Sequence, residues 1–363
     1  MNLRDTATAH RIDLADLERP ELEQAFVARG HQRFRAHQVF QRIYRQGVTD
    51  LSALTDLPRG LRERLDAEFT LSTPVLVDRE RSNDGTEKFL LRLGDGERIE
   101  SVFIPDTGSM TFCISTQVGC AMACAFCLTG RMGLTRHLTA GEIVGQVRVL
   151  ADALGMRRAT FNIVLMGMGE PLHNYDETMK ALRILTDEYG FAMSPRRVTL
   201  STVGLLPALQ RMAHEPVMPN LAISLHAPTD AQRGNLVPIN RKYGVREIIE
   251  ACKRFPLKRR HRITFEYVLL AGVNDSPADA KHLAELLSGV KSKVNLIPLN
   301  AAAGIPFERP SDDAVNRFAR VLADHHVVVS VRKSRGRDIR AACGQLIVEG
   351  QRKSPAQQLA VVL

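Results

Sequence analysis

Apolar residues recur along the chain in two regimes. Up to about residue 70 they fall at helical spacing in LADLERPELEQAFVARG, FRAHQVFQRIYRQG and LPRGLRERLDAEF, with Gly and Pro between the segments. A 3.6-residue repeat brings such positions onto one face, so three short helices are predicted. From Pro74 the runs PVLVDRER, TEKFLLRL and RIESVFIP are separated by Ser-Asn-Asp-Gly and Gly-Asp-Gly, turn signals that predict a β meander. Beyond it TFCIST, FNIVLMG, RVTLSTV, NLAISLH, RITFEYVLL and KVNLIPLN alternate with amphipathic stretches. In one stretch, AGEIVGQVRVLADAL, Ile143, Val147, Leu150 and Leu154 share a helical face, and Thr139 with Glu142 supplies a capping box. Six strands in a βα series predict an α/β fold with a parallel, barrel-like sheet. Ligands of such sheets gather at the carboxyl ends of the strands. The expected division is a helical accessory module at 1–73, a β extension at 74–108, the main domain at 109–345 and a tail at 346–363.

Composition adds little to the fold but narrows the setting. With 363 residues, 44% of them hydrophobic, the chain can build a large core. No apolar run approaches the roughly 20 residues that span a bilayer, and the start MNLRDTATAHRIDLADLERP lacks the order of a secretory signal. A cytoplasmic protein with no membrane partner is expected. Forty-nine Lys and Arg against 40 Asp and Glu leave a charge of +9, which favours a polyanionic partner without identifying one. Three basic segments are candidates for it: Arg29, Arg33, Arg35, His37, Arg42 and Arg45 in the helical module, Lys253 to Arg262, and Arg332 to Arg340. A solvated helix face is the competing account of the first.

The six cysteines change the picture more. Cys113, Cys120, Cys124, Cys127, Cys252 and Cys343 are too few and too clustered for a disulfide scaffold of this length. Cys120, Cys124 and Cys127 follow the first strand of the βα series with C-x₃-C-x₂-C spacing, so three thiolates from one loop converge. A structural zinc wants four protein ligands, whereas three leave one metal position open to a small molecule. The alternatives are a zinc completed by a distant His, or incidental thiols. Gly167-Met168-Gly169-Glu170-Pro171 ends the next strand; its glycines allow close backbone approach, and Glu170 offers acceptors for an ammonium group. Ser201, Ser224, His226 and Asn300 also end strands, where each taken singly is more often a structural hydrogen bonder. Cys252, in IIEACKRF, reads as a buried inert thiol.

The cysteine loop resembles that of the radical S-adenosylmethionine (SAM) superfamily, in which the open iron of a [4Fe–4S] cluster chelates SAM and the reduced cluster cleaves it to a 5′-deoxyadenosyl radical. More narrowly, RIESVFIP, CISTQVGCAMACAFC, GMGEP, LSTVG, ISLHAP, NLIPLN and RGRDIRAACGQL together resemble the RlmN family of RNA adenine-C2 methyltransferases over nearly the whole chain. FRAHQVFQRIYRQGVTD resembles that family's amino-terminal domain. The fold so implied is a partial (β/α)6 radical SAM barrel with a small helical domain and a β extension. The resemblance implies Cys120, Cys124 and Cys127 as cluster ligands, and Gly169, Glu170, Ser201, Ser224, Leu225, His226 and Asn300 around SAM. It implies Glu100 as proton acceptor, Cys343 as the methyl-carrying cysteine and Cys113 as the thiol that resolves a protein–RNA intermediate. Leu128 after the third ligand departs from the serine common in the family.

Adenine C2 has neither an acidic proton nor a nucleophilic lone pair, which requires a radical route. The family route uses two SAM molecules per turnover. One methylates Cys343, and the radical from the second abstracts hydrogen from that methyl group. The methylene radical adds to C2; after loss of an electron and the C2 proton, Cys113 attacks the Cys343 sulfur, forming a disulfide and freeing the RNA. The implied partners are 23S rRNA near the peptidyl transferase centre, tRNA at the adenosine 3′ to the anticodon, and an electron donor such as flavodoxin, with the protein a monomer. A C8-adenine methyltransferase is the nearest alternative, against which Leu172-His173-Asn174 after Gly-Glu-Pro resembles the C2 group better. A non-catalytic, metal-stabilised RNA-binding protein is the alternative of another class.

Overall fold

A computed structural model describes residues 11–105, 109–258 and 261–348. Residues 349–363 of the expected tail, and Arg259 and Arg260 of one basic segment, lie outside the described residues. The strands are β1 (Ile12–Asp13), β2 (Phe69–Thr70), β3 (Val75–Arg81), β4 (Glu87–Arg92), β5 (Arg98–Ile104), β6 (Thr111–Cys113), β7 (Gln117–Cys120), β8 (Gly133–His137), β9 (Asn162–Leu165), β10 (Val198–Thr202), β11 (Asn220–Ser224), β12 (Ile263–Leu269), β13 (Ser292–Pro298) and β14 (Val329–Val331). The helices are α1 (Arg19–Ala28), α2 (Arg33–Arg45), α3 (Arg59–Glu68), α4 (Leu128–Met132), α5 (Ala140–Ala153), α6 (Tyr175–Thr186), α7 (Leu206–Met212), α8 (Asp230–Leu236), α9 (Val245–Arg254), α10 (Pro277–Leu286) and α11 (Asp312–Asp324).

All six strands of the predicted βα series form, as β6 and β9 to β13, and they pair in parallel in sequence order. Their runs are rich in β-branched and aliphatic residues because both faces of a parallel sheet are covered; Ile163, Leu200, Ile223, Phe265 and Leu296 are all buried. A seventh parallel strand, β14, extends the sheet beyond β13. At the opposite end β5, β4 and β3 continue it antiparallel from β6, so the predicted meander is part of the same ten-stranded sheet. Its order runs from β14 at one edge to β3 at the other, with no pairing between those edges among the described residues. The sheet is therefore open in this sense, as a partial barrel requires.

Helix α5 begins where the capping box predicts: Thr139 Oγ1 accepts from Glu142 N, and Glu142 accepts from Thr139 N. Ile143, Val147 and Leu150 are fully buried. The helical module forms as predicted and is closed by a short parallel pair between β1 and β2, which its sequence pattern does not suggest. It docks on the main domain through paired charges. Arg19 Nε donates to Asp187 at 2.9 Å, Arg183 Nε to Glu18 at 2.8 Å, and Gly141 N to Asp16 at 2.8 Å. Cys252 is buried in the main core, and burial pushes its thiol up to about 12, as expected of an inert residue.

Candidate active site

Cys120 closes β7, which pairs with β8 in a small antiparallel hairpin inserted between β6 and α5. The chain then turns through Ala123, whose φ of 51° is the left-handed conformation that side chains resist. Cys127 N donates to Cys124 O at 3.1 Å, and Cys127 caps α4. At Gly130 of that helix a Cβ would lie 2.9 Å from Cys124 N, so only glycine lets α4 pack this closely under the loop. From the other side Ala125 N donates to Leu236 O of α8 at 2.9 Å. Cys120, Cys124 and Cys127 all line one cavity of about 150 Å³. Burial, with the neighbouring thiols second among the causes for Cys120 and Cys124, pushes these groups up, so a metal must displace their protons to bind.

The remaining wall of that cavity comes from strand ends. Gly169, Glu170, Ser201, Ser224, His226 and Asn300 all line it. Gly169 has φ 107°, and a Cβ there would sit 2.7 Å from the Gln117 side chain. Glu170 is 3% exposed. Its carboxylate accepts from Leu172 N at 3.1 Å and Val203 N at 2.9 Å, yet burial still pushes it up to about 7. Ser201 Oγ and Ser224 Oγ are 3.2 Å apart. His226 adopts φ 62°, and burial with the Arg233 guanidinium holds its ring down to about 3. Because its Nδ1 accepts from Val268 N at 3.1 Å, the neutral ring carries its proton on Nε2. Asn300 Nδ2 makes a long 3.5 Å contact with Cys343 O, and its Oδ1 is buried with no partner. Leu225 differs from the rest. Its side chain is buried and outside the cavity wall, while its N donates to Glu266 O and its carbonyl accepts from Arg233.

Cys343 stands at the junction of this cavity and a smaller one of about 90 Å³. Cys127, Asn300, Arg332 and Cys343 line both; Cys113 lines only the smaller. Cys113 and Cys343 are free thiols, and burial, then the neighbouring Cys343, pushes Cys113 up to about 12. Cys343 itself rides on a loop tied to the cluster helix: Leu128 N donates to Gly344 O at 2.8 Å and Thr129 Oγ1 to Leu346 O at 2.6 Å. Arg332 brings positive charge beside Cys343, as its basic segment predicts. Its guanidinium is raised first by Cys343, with Glu266 and Cys113 also contributing.

Glu100 does not join them. Its buried carboxylate lines neither cavity; it lies 3.2 Å from Lys88 Nζ and accepts from Ile347 N at 2.8 Å. Burial raises it despite Lys88. Three residues of this region escape a reading of the sequence: Lys88, Glu266 in the cavity wall, and the fully buried Arg233. Glu266 interrupts the apolar run ITFEYVL, a conflict of patterning that is the available signal; Arg233, in DAQRGNL, and Lys88, beside Glu87, carry none.

The basic segments separate. Arg33 pairs with Glu23, Arg42 with Asp56, and Arg45 Nε donates to Gly190 O, so much of the module's positive charge serves its own packing. Arg196, Lys258, His261, Arg262, Lys291 and Lys293 line a cleft of about 920 Å³. This cleft lies at the amino ends of β10 to β13, opposite the ends that carry the cradle.

The residues fit a cubane cluster with a chelated small molecule. Three cysteines share a wall with neutral donors and a buried carboxylate, and Asn300 Oδ1 is an orphaned acceptor there. Among the described residues no three His, Cys, Asp or Glu side chains converge on one metal ion. A cubane takes one thiolate at each of three corners and leaves its fourth iron open to a chelating small molecule.

Comparison with known proteins agrees. The Radical SAM superfamily model matches residues 114–286, and the model described as Ribosomal RNA large subunit methyltransferase N-terminal domain matches residues 12–71. The chain is 50% identical to the Dual-specificity RNA methyltransferase RlmN of Geobacter sulfurreducens, covering 92% of each chain. It is 47% identical to that of Anaeromyxobacter dehalogenans, covering 97% of this chain and 96% of the relative. The crystal structure of a radical SAM methyltransferase from Sphaerobacter thermophilus superposes with a TM-score of 0.88 at 48% identity, covering 92% of this chain and 99% of that one.

Proposed function

From its place in the RlmN family of radical SAM RNA methyltransferases, to which this chain belongs, we propose that it methylates C2 of adenosine in 23S rRNA and in tRNA, with Cys343 as methyl carrier. What carries this reading is the position of Cys343 between two cavities, one lined by the cluster cysteines and the cradle, the other by Cys113. When bound, the [4Fe–4S] cluster and SAM supply a methyl group and a 5′-deoxyadenosyl radical. Cys120, Cys124 and Cys127 hold the cluster. Glu170, Ser201, Ser224, His226 and Asn300 hold SAM, with Gly169 and the Leu225 backbone shaping the cradle. Two SAM molecules are used per turnover, the first charging Cys343. Arg332 lines both cavities together with Cys343 and sets a positive charge beside the sulfur that is charged.

Glu100 serves as proton acceptor. Since it is held by Lys88 and Ile347 N behind the Cys343 loop, it reaches the base only after the bond to Ile347 is exchanged. Cys113 resolves the adduct. An external one-electron donor such as flavodoxin supplies the reductant, and the protein acts as a cytoplasmic monomer. No helix among the described residues is long and apolar enough to cross a membrane. Nucleoside mass spectrometry of RNA treated with the enzyme, against 2-methyl- and 8-methyladenosine standards, tests the assignment. Only the 8-methyl isomer would move it to the neighbouring activity, and no methylated adenosine would refute both.

Glu170 gives a pH-dependent expectation. Its folded-state value is raised from its ordinary 4.5 to about 7, so the stability it contributes without ligand is complete below 4.5 and lost as pH rises through 7. An ammonium bound beside it favours the ionised form, so SAM affinity rises across the same window. Glu170→Gln is expected to flatten that dependence and weaken SAM binding by roughly 1.5–3 kcal/mol at neutral pH. Calorimetry on cluster-loaded protein reads both. Unchanged affinity would reduce Glu170 to a turn residue.

The basic cleft is the RNA surface in this reading. A seven-residue strand such as β13 spans about 20 Å, so cations at its amino end contact backbone phosphates remote from the target base. They position without specifying. Arg262→Ala with Lys293→Ala should flatten the slope of log affinity against log salt by about one for each phosphate left without its cation, with SAM cleavage unchanged. An unchanged slope would remove the cleft from the RNA path.

A further inference from the structure

Arg233 is fully buried at 0% exposure on α8, and all four of its hydrogen bonds go to neutral oxygens. Nε donates to Leu225 O at 2.9 Å, Nη1 to Asn240 Oδ1 at 3.0 Å, and Nη2 to Val203 O at 2.6 Å and Ser224 O at 3.1 Å. Asp230, the carboxylate that acts on it, is occupied by Asn240 Nδ2 and Val245 N. A guanidinium removed from water without a paired anion is among the costlier arrangements in a protein core. Such a charge persists where an anion belongs beside it.

The anion is indicated by what shares the neighbourhood. Val203 and Ser224, whose carbonyls Arg233 grips, line the same cavity as Cys120, Cys124 and Cys127. The cluster loop rests on the same helix, through Ala125 N to Leu236 O. A cubane held by three thiolates is negatively charged, and reduction adds an electron in a site from which water is largely excluded, where a fixed charge acts strongly.

We propose that Arg233 is the counter-charge of the iron–sulfur cluster, a positioning residue that makes the cluster easier to reduce. This rests on the radical SAM reading of the cysteine loop. Arg233 does not touch the reacting atoms. By gripping the carbonyls of Val203, Ser224 and Leu225 it also ties that charge to the strand ends forming the SAM cradle. Charge and cradle geometry therefore depend on one side chain, and they can be separated.

Full-length wild type, Arg233→Gln and Arg233→Lys are reconstituted anaerobically, iron and sulfide are measured, and the midpoint potential is read by dye-mediated titration with electron paramagnetic resonance. Loss of charge in Arg233→Gln is expected to disfavour reduction about tenfold, equivalent to about 59 mV for one electron, while Arg233→Lys stays within a few-fold of wild type. Failure of Arg233→Gln to retain the cluster, with retention by Arg233→Lys, would also support the counter-charge. Equal potentials in all three proteins would overturn it, as would loss of the cluster in both variants, since hydrogen-bond geometry alone would then explain the residue. A wild type that binds no iron would refute the radical SAM reading itself.

Discussion

Cys113→Ala protein, incubated with SAM, reductant and substrate RNA, is expected to run on denaturing gels as an RNA-linked species while releasing little methylated product. Cys343→Ala is expected to give neither adduct nor product. The contrast follows from the placement of the two thiols. Cys343 adjoins both cavities and can receive a methyl group from the cradle side, while Cys113 lines only the smaller one and meets the far side of the same loop. Removing the carrier stops the reaction before RNA is joined; removing the resolving thiol stops it after, because release requires attack on the Cys343 sulfur. With isotopically labelled SAM methyl groups, the linking carbon should carry the label. Cys113 is pushed up to about 12 by burial, so at neutral pH little of it is thiolate, and resolution of the adduct by wild-type protein should accelerate as pH rises toward that value. Wild-type turnover by Cys113→Ala without an adduct would end the two-cysteine mechanism and leave the radical SAM assignment standing.

Replacement of Cys120, Cys124 or Cys127 by Ala should reduce SAM cleavage to background, because the three thiols are the cysteines of the loop that enters the larger cavity. Reconstituted wild type should hold about four irons and four sulfides per chain. Deoxyadenosine formation, measured with a strong reductant and no RNA, isolates this step from methyl transfer. Cleavage at the wild-type rate in any of the three variants would exclude that cysteine as an essential ligand. The Cys343→Ala protein, by contrast, should retain its cluster and its cleavage activity.

The six strands of the series are legible because each is a short run of aliphatic and β-branched residues bounded by turn signals, as a sheet covered on both faces demands. Their carboxyl ends are legible for the same reason, which brings Glu170, Ser201, Ser224, His226 and Asn300 into one wall. Strand β14 is not, being three residues long with two of them exposed, so neither length nor burial marks it. The β7–β8 hairpin carries a glycine at Gly119 and a register shift, which erase the alternation of a strand. Glu100 is assigned from resemblance; the predicted meander brings Lys88 of β4 beside it, but its other partner, Ile347 near the end of the described chain, lies on a segment whose approach no local pattern encodes. Arg233 and Glu266 escape notice because a charge in the core is stable only with its tertiary partners, and those are absent from any window of sequence.

The bonds from Leu128 and Thr129 to Gly344 and Leu346 join segments more than two hundred residues apart in the chain. In the proposed mechanism, the helix that follows the third cluster cysteine is thereby the shelf on which the methyl carrier rests. Iron occupancy and carrier alignment become a single variable: protein emptied of metal should hold Cys343 less firmly and accept a methyl group less readily. In a cell short of iron, the modification state of the RNA would then follow metal supply at two points of one catalyst.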